Sequence, residues 1–133
     1  MTRLAVYFDG RYIDYRNMPK KTLDPLPSAA FQILLALADG DLHGYGIMRH
    51  VVEQTGGRVR LGPGTLYSSI QTLLEAEYIE EVDSAESQTR NAERRRSYRL
   101  TRAGRQRVQS EAERLEELLR IARSKKIFEA DYV

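Results

Sequence analysis

Between Arg90 and Arg107 the chain places eight arginines and a single acid, Glu93, whereas from Glu75 to Glu86 it places six acids and no base. The chemistry that arginine performs at this density is phosphate binding, because the guanidinium is permanently charged, planar and able to donate paired hydrogen bonds. Arg94-Arg95-Arg96 is followed by Ser97-Tyr98-Arg99-Leu100, an alternation that predicts a strand with Tyr98 and Leu100 facing a core. An arginine-loaded strand suits contact with a nucleic-acid backbone. A second reading fits the same charges: the basic face is solvated and pairs with the acidic stretch beside it. The net charge of +2 conceals this division.

Other chemistries find little material. The chain has no cysteine, which excludes disulfides, thiolate metal sites and a cysteine nucleophile. His43 and His50 are the only histidines and belong to no triad or metal-ligand spacing. His43 reads as a local structural residue ahead of a helix. The expectation is a protein that is not an enzyme, with no catalytic residue, metal or cofactor. No apolar run is long enough to cross a bilayer. Asp9, Arg11 and Asp14 interrupt any signal-peptide core. These features predict a cytoplasmic protein without a membrane partner.

The elements that must position the arginines follow from periodicity. At 133 residues one domain is expected. Residues 1–25 read as an extension: strands Leu4–Phe8 and Arg11–Tyr15 around Asp9-Gly10, a two-residue turn signal, then a proline-bearing linker. An isolated hairpin is marginal in water, so this one should dock on the domain or on a partner subunit. Residues 26–101 read as the main domain. A first helix is expected from Ser28, as N-cap, to Ala38, with Phe31, Leu34, Leu35 and Ala38 inward. A second should run from Gly44 to Thr55, with Ile47 and Val51 inward and Gly56-Gly57 as its stop. Val59–Leu61 reads as a short extended piece.

A third helix is expected from Pro63 to Ala76, with Leu66, Ile70, Leu73 and Leu74 on the buried face. Thr65, Ser68, Ser69, Gln71 and Thr72 lie opposite, without a charge before Glu75. Small polar side chains at the front of a helix suit base edges in a major groove, which assigns Thr65, Ser68, Ser69 and Gln71 to DNA; a plain solvated face is the competing reading. Ile79–Val82 and Arg95–Leu100 follow as strands around a polar tip, 83–93. Arg94, Arg95 and Arg96 are assigned to phosphate or minor groove. A helix followed by two such strands is a winged helix-turn-helix, a mainly α (α+β) fold.

Residues 102–133 read as a long helix and a tail. Val108, Ala112, Leu115, Leu119 and Ala122 repeat at alternating spacings of four and three, an a/d seam. A helix of this length spans about 35 Å, more than so small a domain covers, so the seam is assigned to a homodimer; the competing reading is an amphipathic helix docked entirely on its own domain.

Ile33 to Gly40, Leu42-His43-Gly44-Tyr45-Gly46-Ile47, Gly62-Pro63-Gly64-Thr65-Leu66-Tyr67, and Arg95, Tyr98, Leu100-Thr101 with Gly104 together resemble the PadR-like transcriptional regulators over about residues 26 to 123. The resemblance implies a winged helix-turn-helix with a C-terminal dimerisation helix, of the short-tailed type. It implies a homodimeric repressor on a pseudo-palindromic operator in double-stranded DNA, released by a small aromatic or hydrophobic effector at the dimer interface. It also implies phosphate contacts for Tyr45 and Tyr67. For Tyr67 a ring bracing the helix is the competing role. The aromatic rings Tyr7, Phe8, Tyr12, Tyr15 and Phe31 equally suit an effector pocket or plain packing. The hairpin before Pro27 departs from the family pattern, and the absence of tryptophan removes any site built on indole stacking. The alternative function is a winged-helix protein-interaction module without its own operator.

Overall fold

The computed structural model describes residues 5–8, 11–14, 23–82 and 96–128. The Asp9-Gly10 turn, residues 15–22, the wing tip with Arg94 and Arg95, and the tail beyond Phe128 lie outside these ranges. Strands β1 (Ala5–Phe8) and β2 (Arg11–Asp14) pair antiparallel with Val6 opposite Ile13 and Phe8 opposite Arg11, the register a two-residue turn imposes.

Helix α1 (Ser28–Ala36) continues into a tighter turn at Leu37–Asp39. Ser28 is not its N-cap. Pro27 holds that position, and Ser28 is already helical with no side-chain cap bond. Ala30, Ile33, Leu34 and Leu37 form the buried face, whereas Leu35 is 40% exposed and Phe31 is half-buried. The stripe is therefore rotated from the expected one. A helix apolar on nearly every side gives periodicity little to discriminate, and packing decides its rotation.

Strand β3 (Leu42–His43) leads into helix α2 (Gly44–Gln54). Thr55, Gly56 and Gly57 close α2, with the Gly57 amide donating to the Val52 carbonyl at 2.8 Å. Gly56 and Gly57 take φ of 61° and 83°, left-handed values that a side chain would strain. Val59–Leu61 pairs with no strand of the sheet, and Leu61 drops into the core. Helix α3 (Pro63–Glu75) begins on proline, whose fixed φ suits a first turn. Strands β4 (Ile79–Val82) and β5 (Ser97–Leu100) follow, then helix α4 (Arg102–Ser124). The sheet has the order β3-β5-β4, antiparallel throughout, with Leu42 opposite Tyr98 and Ile79 opposite Leu100. Strand β3 is too short for sequence alternation to reveal.

One core joins the helices and the three-stranded sheet. Ile33, Leu34, Ile47, Val51, Leu66, Leu73 and Ile79 are fully buried, and Tyr98 and Val108 close the margin. Each such aliphatic side chain contributes about 1.5–3 kcal/mol by leaving water.

Helix α4 divides at Glu111. Its start is capped by Thr101, whose hydroxyl oxygen accepts from the Gly104 amide at 3.0 Å and donates to the Glu77 carbonyl at 2.6 Å. Val108 is 7% exposed and belongs to the domain's own core, so the first member of the predicted seam is already covered within the chain. Arg107 donates to the Leu23 carbonyl and stands 3.6 Å from Glu111, which accepts from Arg114 at 2.6 Å. These bonds fasten the first half of α4 to the segment before α1. Beyond them, residues 112–120 are all exposed.

Candidate nucleic-acid interface

Helix α3 projects from the core on Leu66, Ile70 and Leu73. With those three inward, a 3.6-residue period turns Gly64, Ser68 and Gln71 outward, Thr65 and Thr72 to one flank, and Tyr67 to the other. Thr65, Ser68, Gln71 and Thr72 are exposed accordingly. Ser68 and Thr72 return their hydroxyl protons to carbonyls one turn back, at 3.3 and 3.0 Å, and Gln71 donates to Glu75 at 3.3 Å. These are exposed contacts that a better partner can replace. Ser69 differs in being half-buried; with Ser68 and Thr72 it lines a small cleft against Leu23, Pro27 and Ala30.

The two tyrosines flank this face. Tyr67 is 46% exposed, and its ring lies over the start of α2, with the phenol oxygen 2.8 Å from where a Cβ on Gly44 would stand. Glycine at position 44 is what lets the ring lie there. Tyr45, in the first turn of α2, is 64% exposed. The start of α2 is fixed by His43, whose Nδ1 accepts from the Gly46 amide at 3.0 Å. His50 Nδ1 donates to the Gly46 carbonyl at 3.0 Å. Both histidines are thus tied to backbone through Nδ1. Among the described residues no group of acids and histidines is arranged to hold a metal ion.

Arg99 on β5 and Arg96 just before it are both paired within the chain. Arg99 forms a two-pronged bond to Asp41, at 3.0 and 2.8 Å, and this hydrogen bonding holds the Asp41 carboxyl below the usual carboxylate range. Arg96 donates to Glu81 at 3.3 Å across the strand pair. Burial pushes the Tyr98 phenol up, and the nearby Glu81 carboxylate adds to this. Of the three wing arginines assigned from sequence, Arg96 alone lies within the described residues, and it already has a carboxylate partner.

A second basic cluster was not foreseen. Arg49 and Arg60 line a shallow cleft with Tyr45, Met48, Val52 and Glu53. Tyr45 and Arg49 are four residues apart on one helix, a spacing that places both on one face and was legible in the sequence. Nothing local in the sequence marks Arg60, which reaches the cleft from the turn before α3.

On α4 the seam residues Ala112, Leu115 and Leu119 face solvent, with Leu115 40% and Leu119 42% exposed; Ala122 is half-buried. Leu118, at 48%, widens the stripe.

Residues 33–110 match the transcriptional regulator PadR-like family. An uncharacterized 37.1 kDa protein of a Streptomyces fradiae transposon is 38% identical over 84 residues, 63% of this chain and 22% of that protein, so the chain spans about a fifth of the length of the curated relative it matches. A transcriptional regulator from Clostridium thermocellum superposes with a TM-score of 0.60 at 26% identity, over 72% of this chain and 87% of that one. A PadR family transcription regulator from hypervirulent Clostridium difficile gives 0.63 at 22% identity, over 74% and 97%. Bacillus subtilis PadR in complex with operator DNA gives 0.55 at 22% identity, over 65% and 47%. At these lower identities the last two speak for the fold alone.

Proposed function

This chain belongs to the PadR-like family of transcriptional regulators, and on that premise we propose that it is a homodimeric, sequence-specific repressor that reads a pseudo-palindromic operator in double-stranded DNA. The observation that carries the reading is the outward face of α3. Thr65, Ser68 and Gln71 are exposed there, uncharged and able to donate and accept hydrogen bonds, on a helix rigidly seated by Leu66, Ile70 and Leu73. Such side chains present both donors and acceptors to the base edges of a major groove. In this reading Ser69 stands at the margin and serves α3 packing, Tyr45 and Tyr67 donate to phosphates, and the wing with Arg94, Arg95 and Arg96 reaches the backbone beside the groove.

The exposed second half of α4 supplies the dimer. Leu115, Leu118 and Leu119 form an apolar strip on a helix that has left its own domain, and a second copy related by a two-fold axis buries it. The chain thereby divides into an extension (1–25), a reading domain (26–101) and a dimerisation segment (102–133), with the first half of α4 serving both of the last two. Release by a small hydrophobic or aromatic effector lodged between the paired α4 helices completes the proposal, and the cytoplasm is where it acts.

Electrophoretic retardation of genomic fragments, with excess unrelated duplex as competitor, tests the reading. Selective retardation is expected. Uniform retardation, or none, would leave a winged helix that binds proteins instead.

A further inference from the structure

We infer that Arg60 and Arg49, beside Tyr45, form a second phosphate-binding site in the cleft between α2 and the connection to α3, and that this site, more than Arg96 on the wing, anchors the domain on the duplex backbone. The inference rests on the DNA-binding reading above. It starts from where positive charge is free. Arg99 is held by Asp41, Arg96 by Glu81, Arg107 and Arg114 by Glu111, and Arg120 by Glu117. Among the described residues, Arg60 is exposed and pairs with no carboxylate. Arg49 has only a loose contact, 4.0 Å to Glu53, and its side chain is 65% exposed. A phosphate approaching Arg96 meets a guanidinium whose charge Glu81 already partly offsets. One approaching Arg60 displaces only water.

Geometry agrees with charge. Arg60 lies on the short connection that leads directly into α3, so a helix presented to a groove brings Arg60 to the groove's edge. Tyr45 adds a phenol donor on the same cleft, 64% exposed, and Met48 and Val52 supply its apolar floor. Glu53, on the rim, is the one acid in the cleft and opposes the phosphate.

Fluorescence anisotropy of a labelled mixed-sequence duplex of about 30 base pairs, near three helical turns, measures this directly across a range of salt concentrations. Each phosphate neutralised contributes about −0.9 to the slope of log K against log salt, so R60A, present twice in a dimer, should flatten the slope by about 2. R49A should act in the same direction, and E53Q in the opposite one by relieving repulsion. Unchanged thermal melting of each variant separates these effects from misfolding. Wild-type binding with a steep slope that R60A and R49A leave intact would overturn the second site while sparing the DNA-binding reading. No binding by the wild type would remove both.

Discussion

Gly104 sits against the main-chain carbonyl of Tyr78 so closely that no side chain has room there. The contact is where the first turn of α4 crosses the bend between α3 and β4, and it is locked by two hydrogen bonds from one neighbour. Thr101 donates its amide to the Tyr78 carbonyl at 3.1 Å and its hydroxyl to Glu77. The spacing Tyr98-Leu100-Thr101-Gly104 thus records one joint: a core tyrosine, a helix cap and a crossing point.

Gly104→Ala should therefore destabilise, although alanine is the better helix former. The gain in propensity is about 1 kcal/mol, while forcing a methyl group into packed backbone costs about 3 kcal/mol or more. The net loss of about 2 kcal/mol should lower the melting temperature by roughly 10 °C. A melting temperature at or above that of the wild type would show that α4 can shift away from Tyr78 freely.

Acid should loosen the same helix through a different bond. Hydrogen bonding from Arg114 holds the Glu111 carboxyl below its ordinary range; burial opposes this, and Arg107 and the Leu26 amide reinforce it. A carboxyl lowered in the folded state stabilises fully above its unfolded value of about 4.3 and loses that contribution as pH falls through the folded value. Glu111→Gln should cost about 2 kcal/mol at neutral pH, since Arg107 is left nearly buried with one fewer partner. The gap in melting temperature between wild type and this variant should narrow below pH 4.3 or so. A constant gap would assign the loss to packing rather than charge.

The sequence revealed those parts of the fold that local rules govern. Helix α3 was legible because Pro63 marks its start and the spacing of Leu66, Ile70 and Leu73 fixes its rotation. Helix α1 was placed but misrotated, because Ile33, Leu34, Leu35 and Leu37 are apolar on several sides and only tertiary packing selects among them. Strand β3 was missed because a two-residue strand exists only through its partner, Tyr98-Ser97 on β5. Within the candidate interface, exposed residues of α3 followed from periodicity. The pairing of Arg99 with Asp41 did not, since the partners are 58 positions apart and no local pattern joins them.

Dimerisation should depend on Leu119 and leave the domain intact. Leu119 is 42% exposed, so Leu119→Glu removes nothing from the monomer core. At a two-fold interface the substitution appears twice, and about 1.4 kcal/mol lost per copy raises the dimer dissociation constant about 100-fold. Sedimentation velocity over a dilution series checks this. An unchanged association state would place the interface elsewhere.

Gln71→Ala should alter what is read, not how tightly any duplex is held. An amide paired with a base edge discriminates by about 1–3 kcal/mol against the wrong base. Affinity for a selected site should fall by roughly 10- to 100-fold while affinity for mixed-sequence duplex stays constant. Equal loss on both would make Gln71 a backbone contact.

The most direct test of the account is to select bound duplexes from a random pool and read their sequences. Two copies of α3 held by paired α4 helices should enrich an inverted repeat whose half-site centres lie about one helical turn, 34–36 Å, or a multiple of it apart. Enrichment of a single unrepeated site, or of no sequence at all, would contradict the paired reading heads on which the proposed function rests.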